Sequence, residues 1–387
     1  MQEKELQQIS SVVRRFVDEG QIPGAVVGVS RRGKVVYLEP HGVMDEDAGT
    51  AMQQDAIFRM ASSTKPVLGV AAMMMIEDGL FNPADLVWNY IPEFNDIQVA
   101  VLADPADEEV SPQYVLEEPP PHRLVDPHRP VTIHDLLTHN SGLATYGLGM
   151  AVANWAWQDG DTLASWIPKV AAGPLDYQPG ARWAYSPLVG LDVVARIIEI
   201  VSGEALDELV QQRIFDPLDM QDTHWHLPEQ KTSRLVVLQD DEGTFRGEKK
   251  IGFRMPPGYF SGSIGLVSTA RDFLHFHQML ENRGTLFGNR VLQESSVELM
   301  SSNQLGSLYR SKRDTDGLGF GFTVEVTLDP EKANSPRSTG SYGWGGAFGT
   351  VSWNEPNEDL IVVIMVQKIT EDLHDEIARA VHAAIQD

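Results

Sequence analysis

The order in which helical and strand-like patterns follow one another along the chain predicts a layered fold. Leu6, Ile9, Val13, Phe16 and Val17 recur at helical spacing, which predicts an amphipathic helix over residues 4–19 ended by Gly20. Residues 24–30 and 34–38 are β-rich runs, and Arg31-Arg32-Gly33 between them predicts a hairpin. Further on, Val67, Leu68, Val70 and the run from Met73 to Ile76 are apolar around most of a helix that reaches about Gly79. A helix apolar on all sides is a buried one. Pro66 suits its first turn, where a missing N–H costs little.

The pattern loosens from about Asn82, and proline and acidic residues dominate 104–130, which predicts a long surface excursion. Thr132 and Asp135 form a capping box for a short helix over 132–138, closed by Asn140-Ser141-Gly142. Trp155, Trp157, Leu163, Trp166 and Ile167 predict more short helices. Pro179-Gly180 predicts a turn before Trp183–Pro187. Leu191, Val194, Ile197 and Ile198 then mark a helix capped by Gly203. Thr269 and Asp272 open a helix through Phe273, Phe276 and Leu280, and another short one covers 293–300. Strands follow over 320–327, 341–344, 349–353 and 360–366, with a last helix from about Glu371. Close strands before a helix read as an antiparallel meander. Joining the N-terminal hairpin to that meander gives one antiparallel sheet flanked by helices, an α/β (α+β) fold. The expected domains are an α/β unit of residues 1–81 and 218–387 and a mainly helical insertion of 82–217. The Met-rich helix lies at their junction, where ligand clefts are favoured.

Composition narrows the picture. With 387 residues, 42% of them hydrophobic, the chain can bury a large core without a metal or disulfide staple. It has no cysteine, which excludes disulfides, cysteine nucleophiles and thiolate metal sites and suits a reducing compartment. The net charge of −25 makes nucleic acid and anionic membranes poor partners. The acidic clusters at 104–109 and 240–242 read as solvated surface. Residues 1–8 are polar with no apolar signal core, and no run approaches the ~18 apolar residues of a membrane span. A soluble, cytoplasmic protein is the expectation.

Candidate chemistry concentrates at Phe58-Arg59-Met60-Ala61-Ser62-Ser63-Thr64-Lys65-Pro66. Ser62 and Lys65 stand three residues apart at a helix start, so hydroxyl and amine share a face. A serine needs a base to become a nucleophile at neutral pH. A lysine serves as that base when burial or nearby positive charge lowers its pKa. Taken alone, the pair reads better as a helix N-cap beside a surface lysine; Tyr185 and Trp344 downstream make that the minor reading. His134 and His139 stand five residues apart around the short helix, missing the i, i+4 pair of zinc-binding helices. A histidine bonding backbone near the site is the expectation there, with no metal.

Ser62-x-x-Lys65, Tyr185-Ser186-Pro187 and Trp344-Gly345-Gly346 resemble, in order and spacing, the three motifs of the serine β-lactamase and penicillin-binding-protein superfamily. The chain is most similar to the class C β-lactamase-like esterases known as family VIII carboxylesterases. Leu136–Leu143 is similar to another stretch common in that group. The resemblance spans residues 5–385 and implies a β-lactamase-like fold. It implies that Ser62 forms an acyl-enzyme and that Lys65 and Tyr185 share the general-base work. It further implies that backbone N–H groups of Ser62 and Ala347 form the oxyanion hole, and that no cofactor is used. Trp344, Gly345, Gly346, Phe348 and Tyr146 are the expected substrate-binding residues; Trp155, Trp157 and Phe260 are pocket candidates that serve equally well as core. Two departures bear on substrate. The first residue of the third motif, usually Lys or His in β-lactamases and D-Ala-D-Ala peptidases, is Trp344, and the usual Asn of the second motif is Pro187. Both favour a compact, neutral ester over a carboxylate-bearing amide. An acyltransferase, a hydrolase of peptides or β-lactams, and a non-catalytic binding module are the alternatives.

Overall fold

The structure is a computed structural model that describes residues 3–104, 119–238, 258–309 and 316–385. Most of the 104–109 acidic run, the 105–118 part of the expected surface excursion, and the 240–242 cluster lie outside the described residues.

Helix α1 (Glu3–Asp18) leads into strands β1 (Gly24–Arg31) and β2 (Lys34–Asp45). Arg32 and Gly33 both take positive φ, the conformation of a tight hairpin turn. The short β3 (Thr50–Ala51) extends the hairpin. Near the other end of the chain come β4 (Leu318–Phe320), β5 (Glu325–Thr327), β6 (Tyr342–Gly345), β7 (Val351–Glu355) and β8 (Leu360–Val366). These make one eight-stranded sheet in the order β4-β5-β6-β7-β8-β1-β2-β3, with every pairing antiparallel. The N-terminal hairpin and the C-terminal meander therefore meet at β1 and β8, in the register Val27 to Ile364.

Both faces of the central strands are covered, so β1 and β8 are buried along their whole length. Alternation decides which residue goes where. Val27, Val29, Val362 and Ile364 pack with Ile9, Val13 and Phe16 of α1 and with Leu373, Ile377 and Val381 of the last helix. Val26, Val363 and Met365 face the larger core, which holds the buried helix of residues 65–77 and Phe273 and Phe276 of the helix over 270–281.

The expected strand over 320–327 is instead the hairpin β4–β5. Thr323 takes φ +67 and the Gly321 N–H bonds to the Val324 carbonyl, which folds the run back on itself. The flanks of the surface excursion also carry structure, because 99–102 and 122–125 pair as a two-stranded sheet. Trp155 and Trp157 are not helical; they lie between the helices of 148–152 and 163–170. Among the described residues, no helix is long and apolar enough to cross a membrane.

Candidate active site

Ser62 does not sit in an α-helix. It is in a 3-10 turn over Ala61–Thr64, which passes directly into α2 (Lys65–Glu77). In a 3-10 turn residues i and i+3 eclipse, which stacks Lys65 over Ser62. Ala61, just before the nucleophile candidate, takes φ +44, a left-handed conformation that costs a non-glycine residue about 1 kcal/mol or more. Nζ of Lys65 lies 3.2 Å from Oγ of Ser62. The amine is fully buried, and it donates to the carbonyls of Pro187 at 2.8 Å and Ser263 at 2.7 Å. Among the described residues no carboxylate pairs with it. Two carbonyls thus fix two of its N–H directions, and its third position faces Ser62 whether that position holds a proton or a lone pair.

Tyr185 lies over this pair, its ring centroid 5.0 Å from Nζ of Lys65. It belongs to no regular element and is held by neighbours. Trp183 stacks near it, and the imidazole of His139 meets it edge-on at 4.8 Å between centroids. The Trp344 ring tilts against it at 5.4 Å and places its indole N–H 3.4 Å from the phenol oxygen. His139, 1% exposed, accepts the Ser186 N–H on Nδ1 at 3.3 Å, which assigns the ring proton to Nε2. Its burial and the charge of Lys65 hold its pKa well below the ordinary histidine value. It therefore acts as a neutral brace for the second motif, in keeping with the backbone-bonding histidine read from the sequence. His134 packs against Phe322 instead.

The third motif reaches the site from β6. Gly346 leaves no room for a side chain, since a Cβ there would stand 2.2 Å from the Met60 carbonyl. Thr350 completes the joint, its hydroxyl 3.0 Å from that of Ser63 and donating to the Met60 carbonyl at 3.2 Å. The end of β6 is thereby docked on the turn that carries Ser62. Ala347 is exposed in the turn after β6, and among the described residues no acceptor meets its N–H. Phe348 follows it, half-buried. Tyr146 comes from the loop after α3 (Ile133–Leu137) and is 36% exposed. Its own burial, and to a lesser degree the phenol of Tyr185, raise its pKa. Asp176 braces that loop by accepting the N–H groups of Thr145 and Met150. The other aromatic candidates pack elsewhere: Trp155 donates to the Val170 carbonyl, Trp157 meets Trp166 and Tyr259, and Phe260 meets Trp225 and His226.

Sequence reasoning missed the two carbonyls that hold Lys65 and the joint made by Ser63 and Thr350. Backbone acceptors leave no residue-type signal. The proline at 187 was informative only about what its side chain lacks.

A hydroxyl, a buried amine and a phenol brought together beside the exposed Ala347, on an antiparallel sheet flanked by helices, define a serine hydrolase. A family model described as Beta-lactamase matches residues 9–386, and the chain belongs to that family. It is 31% identical over 362 residues to the lovastatin esterase of Penicillium rubens, covering 87% of this chain and 86% of that one. It is 26% identical over 404 residues to esterase EstB of Burkholderia gladioli, covering 97% and 94%. Among solved structures, EstCE1, described as a hydrolase with promiscuous acyltransferase activity, superposes with a TM-score of 0.77 at 25% identity, covering 98% of this chain and 99% of that one.

Proposed function

We propose that this protein is a serine carboxylesterase of the family VIII type, acting on short-chain or compact neutral esters. The observation that carries the reading is Lys65, fully buried and aimed at the Ser62 hydroxyl by two carbonyls. Ser62 Oγ attacks the ester carbonyl carbon while its proton passes to the Lys65–Tyr185 pair. The negative charge that develops on the carbonyl oxygen faces the N–H groups of Ser62 and Ala347. The C–O bond to the alcohol then breaks, and the pair returns the proton to the departing oxygen. Water repeats the sequence on the acyl-enzyme, which releases the acid and restores the Ser62 hydroxyl. The relatives named as esterases support ester hydrolysis. So does Trp344, which puts an indole where a cation would otherwise meet a substrate carboxylate.

The test is intact-protein mass spectrometry after brief exposure to an activated short-chain ester and, separately, to a β-lactam, with Ser62→Ala as control. A Ser62-dependent acyl adduct that turns over with the ester, and little adduct with the β-lactam, is expected. A long-lived β-lactam adduct without ester turnover would point to a penicillin-binding protein. No adduct from either reagent would leave a non-catalytic module. Acyl transfer is the second reading, favoured by the description of EstCE1. An added alcohol then diverts the acyl group from acid to a new ester.

A further inference from the structure

Both carbonyls that hold Lys65 are tied to the first turn of one helix, the buried helix over Gly190–Ser202. Pro187 is fixed by Ser186, whose hydroxyl accepts the Gly190 N–H at 2.9 Å. Ser263 is fixed by Asp192, 2% exposed in that same turn. Oδ1 of Asp192 accepts the Ser263 N–H at 2.9 Å and the Ser261 hydroxyl at 2.7 Å. Oδ2 accepts the Tyr259 hydroxyl at 2.6 Å. The 259–266 segment has no helix or strand of its own, so the carboxylate stands in for the missing ladder. Gly262 lets it press inward, since a Cβ there would lie 2.6 Å from Leu68 of α2 and 3.0 Å from Ala195. Ser261 extends the clamp, because its hydroxyl also takes the Ile264 N–H at 3.1 Å.

A buried carboxylate is costly unless hydrogen bonds satisfy it. Here every donor is neutral, and no cation pairs with Asp192 among the described residues. An apolar residue at 192 would leave the Tyr259 and Ser261 hydroxyls and the Ser263 N–H buried without this acceptor, and would not hold the turn over 261–264 at one angle.

We infer that Asp192 is a positioning residue for the general base: through Ser261 and the Ser263 N–H it sets the Ser263 carbonyl that aims Lys65 at Ser62. This rests on the esterase reading above. The two oxygens of Asp192 separate its roles. Oδ1 holds the Gly262–Ser263 peptide directly and, through the Ser261 hydroxyl and the Ile264 N–H, the Ser263–Ile264 peptide whose carbonyl meets Lys65; Oδ2 governs only the packing of Tyr259.

The experiment compares wild type with Asp192→Ala, Asp192→Asn, Ser261→Ala and Tyr259→Phe. It measures kcat and KM on p-nitrophenyl acetate, the rate of Ser62 phosphonylation by a fluorophosphonate, and the melting temperature. Asp192→Ala and Ser261→Ala are expected to lower kcat and the phosphonylation rate about 10- to 100-fold, with KM changed less than about threefold. Asp192→Asn, which keeps an oxygen for Ser261 and Ser263, recovers most of that loss. Tyr259→Phe lowers the melting temperature but leaves both rates within about threefold. If Asp192→Ala does not fold, Ser261→Ala carries the comparison. Rates that track melting temperature alone, with Tyr259→Phe as damaging as Ser261→Ala, overturn the inference while leaving the esterase reading intact. A wild-type Ser62 that reacts with neither reagent overturns the esterase reading itself, and the inference with it.

Discussion

Tyr185 is the residue on which the proposed chemistry depends most, because its phenol must move a proton at both steps. Tyr185→Phe keeps the ring that packs on His139 and Trp344 and removes only the hydroxyl. It is expected to lower kcat by about 10²–10⁴ while the protein melts as the wild type does. Near-normal ester turnover would end its assignment. Trp344 contributes a smaller, separable effect. Its indole N–H reaches the phenol oxygen at 3.4 Å, a long hydrogen bond that tightens when charge develops on that oxygen. Trp344→Phe is expected to lower kcat by about tenfold or less, the worth of one neutral hydrogen bond. If Trp344→Phe instead raised KM with kcat unchanged, the ring would be a substrate wall and no partner of the phenol.

At the scale of elements, the site is a joint between the strained turn before α2 and the end of β6. Ala61→Gly relieves a left-handed residue and is expected to stabilise the fold by about 1 kcal/mol. It also loosens the turn that presents Ser62, so kcat is expected to fall while the melting temperature rises. Gly346→Ala should do the reverse of no harm: its Cβ would meet the Met60 carbonyl, which is backbone and cannot step aside. Loss of ester turnover larger than the loss of stability is the expected result, read from kcat beside a melting curve. The joint also explains what the sequence could tell. Continuous apolar runs such as 360–366, the hairpin at Arg32-Gly33 and the Thr132–Asp135 cap are local signals, and each element formed where its pattern stood. The strand over 320–327 broke because Thr323 adopts a conformation its residue type does not announce. Ser62, Lys65, Tyr185 and Trp344 were legible as side chains at motif spacing. The Ser263 carbonyl, the Thr350 hydroxyl and the strain at Ala61 were not, since they arise only when distant segments pack.

Across the whole molecule, stability should respond to pH through groups that join the sheet to its helices. His382 of the last helix pairs with Glu355 at the end of β7, which is itself fully buried. The hydrogen bond to Glu355 raises the His382 pKa; burial pushes the Glu355 carboxyl up, but His382 and further donors pull it down to about 2. The raised histidine contributes stability fully below its unfolded value of 6.5, and that stability is lost as pH rises through the folded value. The depressed carboxyl contributes above 4.5, and its share is lost as pH falls toward about 2. The pair therefore helps most between those two unfolded values, and His382→Gln should cost most there. Glu281 acts with a different lower bound. Burial against the sheet pushes its carboxyl up to about 7, although Asn354 of β7 donates to it at 2.8 Å. The folded protein holds that proton more tightly than the unfolded chain does. Its contribution is therefore complete below 4.5 and declines as pH rises through about 7. Glu281→Gln keeps an acceptor for Asn354 and has no charge to bury. Melting curves from pH 4 to 8 should show the wild type losing on the order of 2 kcal/mol over that interval through this group, and Glu281→Gln losing correspondingly less. A variant curve parallel to the wild type would mean that the sheet opens enough to solvate the carboxylate, and that the helix over 270–281 is less firmly seated than its apolar contacts suggest.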